Sequence, residues 1–255
     1  MNSVAIVTGA SSGIGKAAAI RLARDFSSIV LVAREADKLA QVAERAMKDG
    51  CDCLWLAMDL TSTSAASAVI QRTLERFSRI DALVNIAGAV PALDVFQMTD
   101  AQWNSGMELK FHAARRLAIH AWEALRAAKG SIVFISGNAA DIPKASSAAV
   151  GAINAAIEAL AKAFADRGIE DGIQVNSVSP GAILTGRRLG MLEKAAAEKN
   201  ISLDDMKSSF LKQMRASRFG EPEDVAELLA FIVSPKARYM AGTVLRMDGG
   251  EVKSN

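Results

Sequence analysis

The segment Thr8-Gly9-Ala10-Ser11-Ser12-Gly13-Ile14-Gly15 sets glycines and serines directly after a short apolar run, Val4 to Val7. Glycine is needed where a chain turns sharply and where an anion must approach bare backbone N–H groups at the start of a helix. This spacing therefore suits the pyrophosphate of a dinucleotide. Arg34 stands about 20 residues further on, at the end of a second apolar run, where an acid would hold a ribose hydroxyl and an arginine would accept a 2′-phosphate. Its planar fork suits a phosphate, so the expected ligand is NADP(H). In the other assignment Arg34 stacks on adenine and Glu35 binds the ribose, which would make NAD(H) the ligand.

Those residues need elements to position them, and the apolar pattern supplies them. Short runs at 4–8, 28–33, 53–58, 81–86, 131–136, 173–178 and 243–247 are apolar on both faces, as buried parallel strands are. Between them lie stretches with helical spacing at 16–25, 35–49, 64–77, 100–128 and 150–167. Strand and helix alternate, and right-handed crossovers then give an α/β fold: a Rossmann-type doubly wound parallel sheet with helices on both faces and a ligand at the carboxyl ends of the strands. One domain over residues 1–255 is expected, since 51% hydrophobic content suffices for one large core. Residues 185–218, polar and helical, stand outside the rhythm. They read as a lid over the site or as an exposed helical insertion.

Lys plus Arg number 30 against 28 Asp plus Glu, and the basic residues are scattered, so nothing points to nucleic acid or a charged membrane surface. No apolar run is expected to approach the roughly 20 residues that cross a bilayer, and a soluble protein is expected. Cys51 and Cys53 share a strand face and are poorly placed to bridge each other, which favours a reduced, cytoplasmic protein. With only His112 and His120 besides, eight residues apart on one long helix and read as packed at a subunit contact, no metal site is expected.

The glycine segment resembles that of the classical short-chain dehydrogenase/reductase family, and further matches run nearly the whole length. Asp59-Leu60 is similar to the family's adenine-contacting pair, and Asn85-Ile86-Ala87-Gly88 to its N-N-A-G segment with one substitution. Asn176 to Gly181, with Ile183 and Thr185 following, is similar to the segment that holds the nicotinamide amide. Arg218 to Pro222, and Gly242 with Asp248-Gly249-Gly250, resemble its C-terminal signature. The resemblance implies cofactor contacts from Gly9, Ser11, Ser12, Gly13, Ile14 and Gly15, and from Arg34, Asp59 and Leu60. It extends them to Asn85, Ala87 and Gly88, to Asn154, and to Pro180, Gly181, Ile183 and Thr185.

The family's serine, tyrosine, lysine and asparagine are expected at Gly137, Val150, Asn154 and Lys110 respectively, so all four catalytic positions are substituted. The one tyrosine in the chain, Tyr239, lies near the C-terminus. Ser136 neighbours Gly137 but points to the opposite sheet face, and reads as a small packed residue. Lysine and asparagine have in effect exchanged places, which makes Lys110 the candidate proton donor. Burial beside a cofactor would lower its pKa toward neutrality. The alternative is a surface lysine paired with Glu108 or snorkelling at the helix edge. Asn138, Asp141, Lys144, Ser146 and Ser147, after the fifth strand, line the expected substrate mouth or are simply solvated.

The resemblance implies an NADP(H)-dependent oxidoreductase acting on a small-molecule carbonyl or alcohol by a non-standard acid, in a homo-oligomer, either tetramer or dimer. Two other classes stay open: a cofactor-binding or regulatory protein without turnover, and non-redox chemistry on the same scaffold.

Overall fold

Seven short runs pair edge to edge in one all-parallel sheet, the five inner ones buried on both faces and the two at its edges, 52–57 and 244–247, partly exposed. A computed structural model describes residues 2–48 and 50–253. The outermost residues of the expected 1–255 domain, and position 49 at the end of the expected 35–49 helix, lie outside the described residues. The strands are β1 (Val4–Thr8), β2 (Ser28–Ala33), β3 (Asp52–Ala57), β4 (Ala82–Asn85), β5 (Ser131–Ile135), β6 (Gln174–Pro180) and β7 (Val244–Met247). Their order is β3-β2-β1-β4-β5-β6-β7, so the winding reverses between β1 and β4 and opens a crevice there.

Alternation along each strand divides the core into two layers. Ala5 and Val7 of β1 face one side with α1 (Gly13–Leu22), α2 (Ala36–Met47) and α9 (Pro222–Ile232). Val4 and Ile6 face the other, with α3 (Ala65–Phe77), α5 (Ala113–Ala128) and α6 (Ala148–Asp171). Between β6 and α9 the chain forms α7 (Gly186–Glu198) and α8 (Leu203–Met214), which pack on their own small core of Leu192, Ala196, Met206 and Phe219.

Two expectations need correction. The helix expected over 100–128 is not continuous: α4 (Asp100–Met107) and α5 are joined by a π-helical turn, Glu108–His112, and Lys110 lies in it. A π turn widens the backbone and rotates the facing of every later residue on the helix, a distortion frequent at functional sites. Nor are long apolar runs absent, since Ala145–Asp171 is long and apolar enough to span a bilayer by length and composition. Its apolar length serves the sheet instead: Ala149, Ile153, Ile157, Ala161 and Ala165 are buried, while Lys162, Asp166, Arg167 and Glu170 on the outer face are exposed.

Candidate active site

Two adjoining clefts open at the carboxyl ends of the strands. The smaller, about 390 Å³, follows the glycine segment. Thr8 at the end of β1 accepts hydrogen bonds from the N–H groups of Ile86 (2.9 Å) and Ala87 (3.0 Å), which draws the loop after β4 against the glycine turn. A Cβ on Gly15 would lie 2.1 Å from the Gly9 carbonyl oxygen, so only glycine lets α1 start this close to the strand end. The Ser12 side chain, at the N-cap of α1, makes no capping bond to a helix N–H group, and the first turn carries no acid. Those N–H groups and the helix dipole are left available for an anion, as a pyrophosphate requires. The donor set fits a dinucleotide.

At the outer end of this cleft stand Arg34, Asp59 and Leu60. Asp59 accepts from the Thr61 N–H (3.0 Å) and hydroxyl (2.9 Å), which with Arg34 nearby lowers its pKa. Glu35, which the NAD(H) alternative needs for a ribose, is instead paired with Lys38 at 2.6 Å. Arg34 is exposed beside Asp59, at a position from which its guanidinium could meet a phosphate.

The expected cofactor residues gather here with one exception. Gly9, Ser11, Ser12, Gly13, Ile14 and Gly15 line the smaller cleft together with Ala87 and Gly88. Asn154, Pro180, Gly181 and Ile183 line the larger one, while Thr185 lines both. Asn85 lines neither. It is buried at the end of β4, opposite Phe134 of β5, and among the described residues neither its Oδ1 nor its Nδ2 has a hydrogen-bond partner.

The larger cleft, about 530 Å³, has Lys110 at its junction with the smaller one. Glu108 is paired with Arg116, so the surface pairing considered for Lys110 does not form. Lys110 turns inward: its ammonium donates to the Ser136 carbonyl at 2.8 Å and to Asn154 Oδ1. Gly88 lies against its aliphatic stem, where a Cβ would stand 3.2 Å from the Lys110 Cγ and Cδ and would press on the stem. Asn154 Nδ2 completes the set by donating to the Gly137 carbonyl at 3.2 Å. Burial, and to a lesser degree the Arg187 guanidinium, push the Lys110 pKa down to about 8, and Glu158 opposes the shift.

Gly137 has φ 154° and ψ 150°, a conformation open essentially to glycine alone. Val150 packs on an apolar cluster with Val90, Ile153, Trp103 and Met107 and forms part of the cleft wall. Ser136 does more than fill space. Besides its carbonyl on Lys110, its hydroxyl donates to Glu158 Oε1 at 2.7 Å, and burial raises the Glu158 pKa. Tyr239 is fully exposed on the turn before β7 and lines neither cleft. Asn138, Lys144, Ser146 and Ser147 do line the larger cleft, whereas Asp141 pairs with Arg246 at 3.1 Å.

Sequence reasoning missed Arg187, Arg188, Phe210, Glu158 and Glu251, of which all but Glu158 line the larger cleft. One signal was available. Thr185 caps α7, and Arg187-Arg188 in the first turn after it place like charge at the positive end of a helix, a local cost that asks for a reason.

A glycine-rich strand-to-helix turn at the switch point of a parallel sheet, joined to a second cleft with a titratable group between them, defines a dinucleotide-binding protein with room for a substrate. The family model described as enoyl-(acyl carrier protein) reductase matches residues 9–251. The cis-4-hydroxycyclohexanecarboxylate dehydrogenase of Sinomonas cyclohexanicum is 32% identical over 252 residues, covering 97% of this chain and 95% of that one. A 3-oxoacyl-(acyl-carrier-protein) reductase of Staphylococcus epidermidis is 28% identical, covering 98% of this chain and 99% of its own length. Among solved structures, L-sorbose reductase from Gluconobacter frateurii, complexed with NADPH and L-sorbose, superposes with a TM-score of 0.95. It is 31% identical and covers 100% of this chain and 98% of that one. The chain belongs to the short-chain dehydrogenase/reductase family.

Proposed function

We propose that this protein is an NADP(H)-dependent oxidoreductase acting on a small carbonyl or alcohol substrate, with Lys110 as its acid. The observation that carries the reading is the position of Lys110, at the junction of the two clefts with its pKa lowered to about 8. The cofactor half is supported by the free N–H groups at the start of α1, by Arg34 and by the engagement of Glu35 with Lys38. It is also supported by the similar L-sorbose reductase, which was solved as an NADPH complex.

When bound, the cofactor supplies a hydride to the carbonyl carbon. The Lys110 ammonium would donate a proton to the carbonyl oxygen, leaving a neutral amine that is reprotonated from water in the open cleft. Asn154 Oδ1 and the Ser136 carbonyl aim that ammonium and hold it in place, as a general acid must be held. The departures at Gly137, Val150 and Asn154 then belong to one altered proton-transfer arrangement. Residues 185–218, which contain α7 and α8, would serve as the substrate lid, in a protein of a reduced, cytoplasmic setting.

Lys110→Met tests the reading. Turnover should fall by roughly 10²- to 10⁴-fold, the usual worth of a positioned acid, with NADPH affinity within about threefold. Unimpaired turnover would place the acid elsewhere. A second reading, a cofactor-binding protein without turnover, draws on the exposure of the one tyrosine, Tyr239. Tight NADPH binding without oxidation across ketones, aldehydes and imines would favour it.

A further inference from the structure

The larger cleft holds more positive charge than proton transfer at Lys110 requires. Lys110, Lys144, Arg187 and Arg188 line it against a single carboxylate, Glu251. That carboxylate is engaged: Asn138 Nδ2 donates to it, burial raises its pKa, and Lys144 and Arg188 face it. Arg187 lines both clefts and donates to the Val90 carbonyl at 2.9 Å, so it is tied to the scaffold and to the cofactor side.

Arg188 differs. It lines the larger cleft alone, and its guanidinium lies over the Phe210 ring, 5.1 Å from the centroid. Among the described residues its side chain forms no hydrogen bond and no ion pair. A cation–π contact uses the charge of the guanidinium and none of its N–H donors as conventional hydrogen bonds, which suits bidentate capture of a carboxylate. Burial lowers the pKa of Arg188, so a bound anion would also relieve a desolvated charge. Arg188 additionally stands in the first turn of α7, where the helix dipole disfavours a cation, and the Glu251 carboxylate and the Phe210 ring offset that placement without occupying its hydrogen-bond donors. Part of the remaining wall is apolar, with Val90, Ile142, Val150, Met191 and Met214 beside polar groups such as Asn138 and Gln213, and that part would take a hydrocarbon body.

We infer that the substrate is an oxo- or hydroxycarboxylic acid with a carbocyclic or aliphatic body, whose carboxylate pairs with Arg188 while its reacting oxygen lies toward Lys110. The inference rests on the oxidoreductase reading for the location of the substrate, but pairing at Arg188 can be measured without turnover.

The test is calorimetric titration of the NADP⁺-saturated protein with 4-oxocyclohexanecarboxylate and its neutral amide, and with 4-oxopentanoate and 5-oxohexanoate and their amides. A charge-assisted pair in a partly desolvated site predicts that the acid binds about 10- to 100-fold more tightly than its amide. Arg188→Gln should bring the two affinities together, and Arg188→Lys should keep part of the preference. The acid-to-amide ratio is read within one protein, so loss of fold cannot imitate the result. Equal affinities in the parent protein, survival of the preference in Arg188→Gln, or no binding of any acid in the series would overturn the inference. Acid preference in binding with no NADPH oxidation would leave the inference standing and overturn the oxidoreductase reading. Turnover of neutral ketones without acid preference would do the reverse.

Discussion

Replacing Gly137 with alanine adds one methyl group where both backbone and neighbours oppose it. The residue sits at φ 154° and ψ 150°, which costs a residue with a Cβ about 1–3 kcal/mol. The new Cβ would also lie 2.8 Å from Asn154 Nδ2. That amide is the end of a side chain and could swing aside in an open site, but here it donates to the Gly137 carbonyl while its oxygen receives Lys110. Displacing it loses about 0.5–1.5 kcal/mol more. The total, about 2–4 kcal/mol, corresponds to a melting temperature lower by roughly 5–15 °C for a domain of this size. Thermal melts followed by circular dichroism, with urea titrations beside them, measure it. Gly190→Ala is the control, because no atom lies within 4 Å of a Cβ there and α7 should gain about 0.5–1 kcal/mol from the change. A Gly137→Ala protein that melts within one degree of the parent would refute both the strain and the locked position of Asn154. A serine at 137, the residue other family members are expected to carry, meets the same obstacle.

Three further outcomes are expected. Arg34→Ala should narrow the preference for NADPH over NADH by about tenfold or more in calorimetry, and equal affinities in the parent protein would remove the phosphate assignment. Carbonyl reduction at saturating NADPH should be level below pH 7 and fall as pH rises through about 8, because the protonated form of Lys110 is the acid, while a rate flat to pH 10 would contradict that. The same group links pH to stability: its folded pKa lies below the unfolded 10.5, so the penalty for its buried charge is complete below pH 8 and is relieved by about 3 kcal/mol between pH 8 and 10.5. Lys110→Met should lose that slope in urea titrations at stepped pH. A homo-oligomer is expected, because Ile119 on α5, Ile169 on α6 and Val244 on the edge strand β7 are exposed apolar residues, and light scattering that gave 26.9 kDa at micromolar concentration would contradict it.

The amino-acid sequence by itself determined the sheet, since runs such as 28–33 and 131–136 are apolar on both faces and can be satisfied only between neighbouring strands with helices above and below. It also determined the phosphate turn, because glycines at 9, 13 and 15 behind a strand and ahead of a helix answer a local steric demand. The placement of Lys110, Gly137, Val150 and Asn154 near one another could be anticipated from the family resemblance, but not what they do to one another. That depends on where side chains from the α4–α5 junction, β5 and α6 meet, which no local pattern encodes. Lys110 lies in the π turn at Glu108–His112 and reaches the Ser136 carbonyl from it, and helical periodicity over 100–128 gives no sign of the turn because it is one widened turn in a stretch that is otherwise α-helical. Asn85 lines neither cleft for a related reason: its segment reaches the cofactor cleft through Ile86, Ala87 and Gly88, while Asn85 itself ends β4, a strand buried along its whole length between β1 and β5. Arg188 gains its surroundings from Phe210, which lies on a different helix, α8. The charge of an arginine can be read from a sequence, whereas its freedom to bind an anion depends on which residues distant in the chain leave its donors unoccupied.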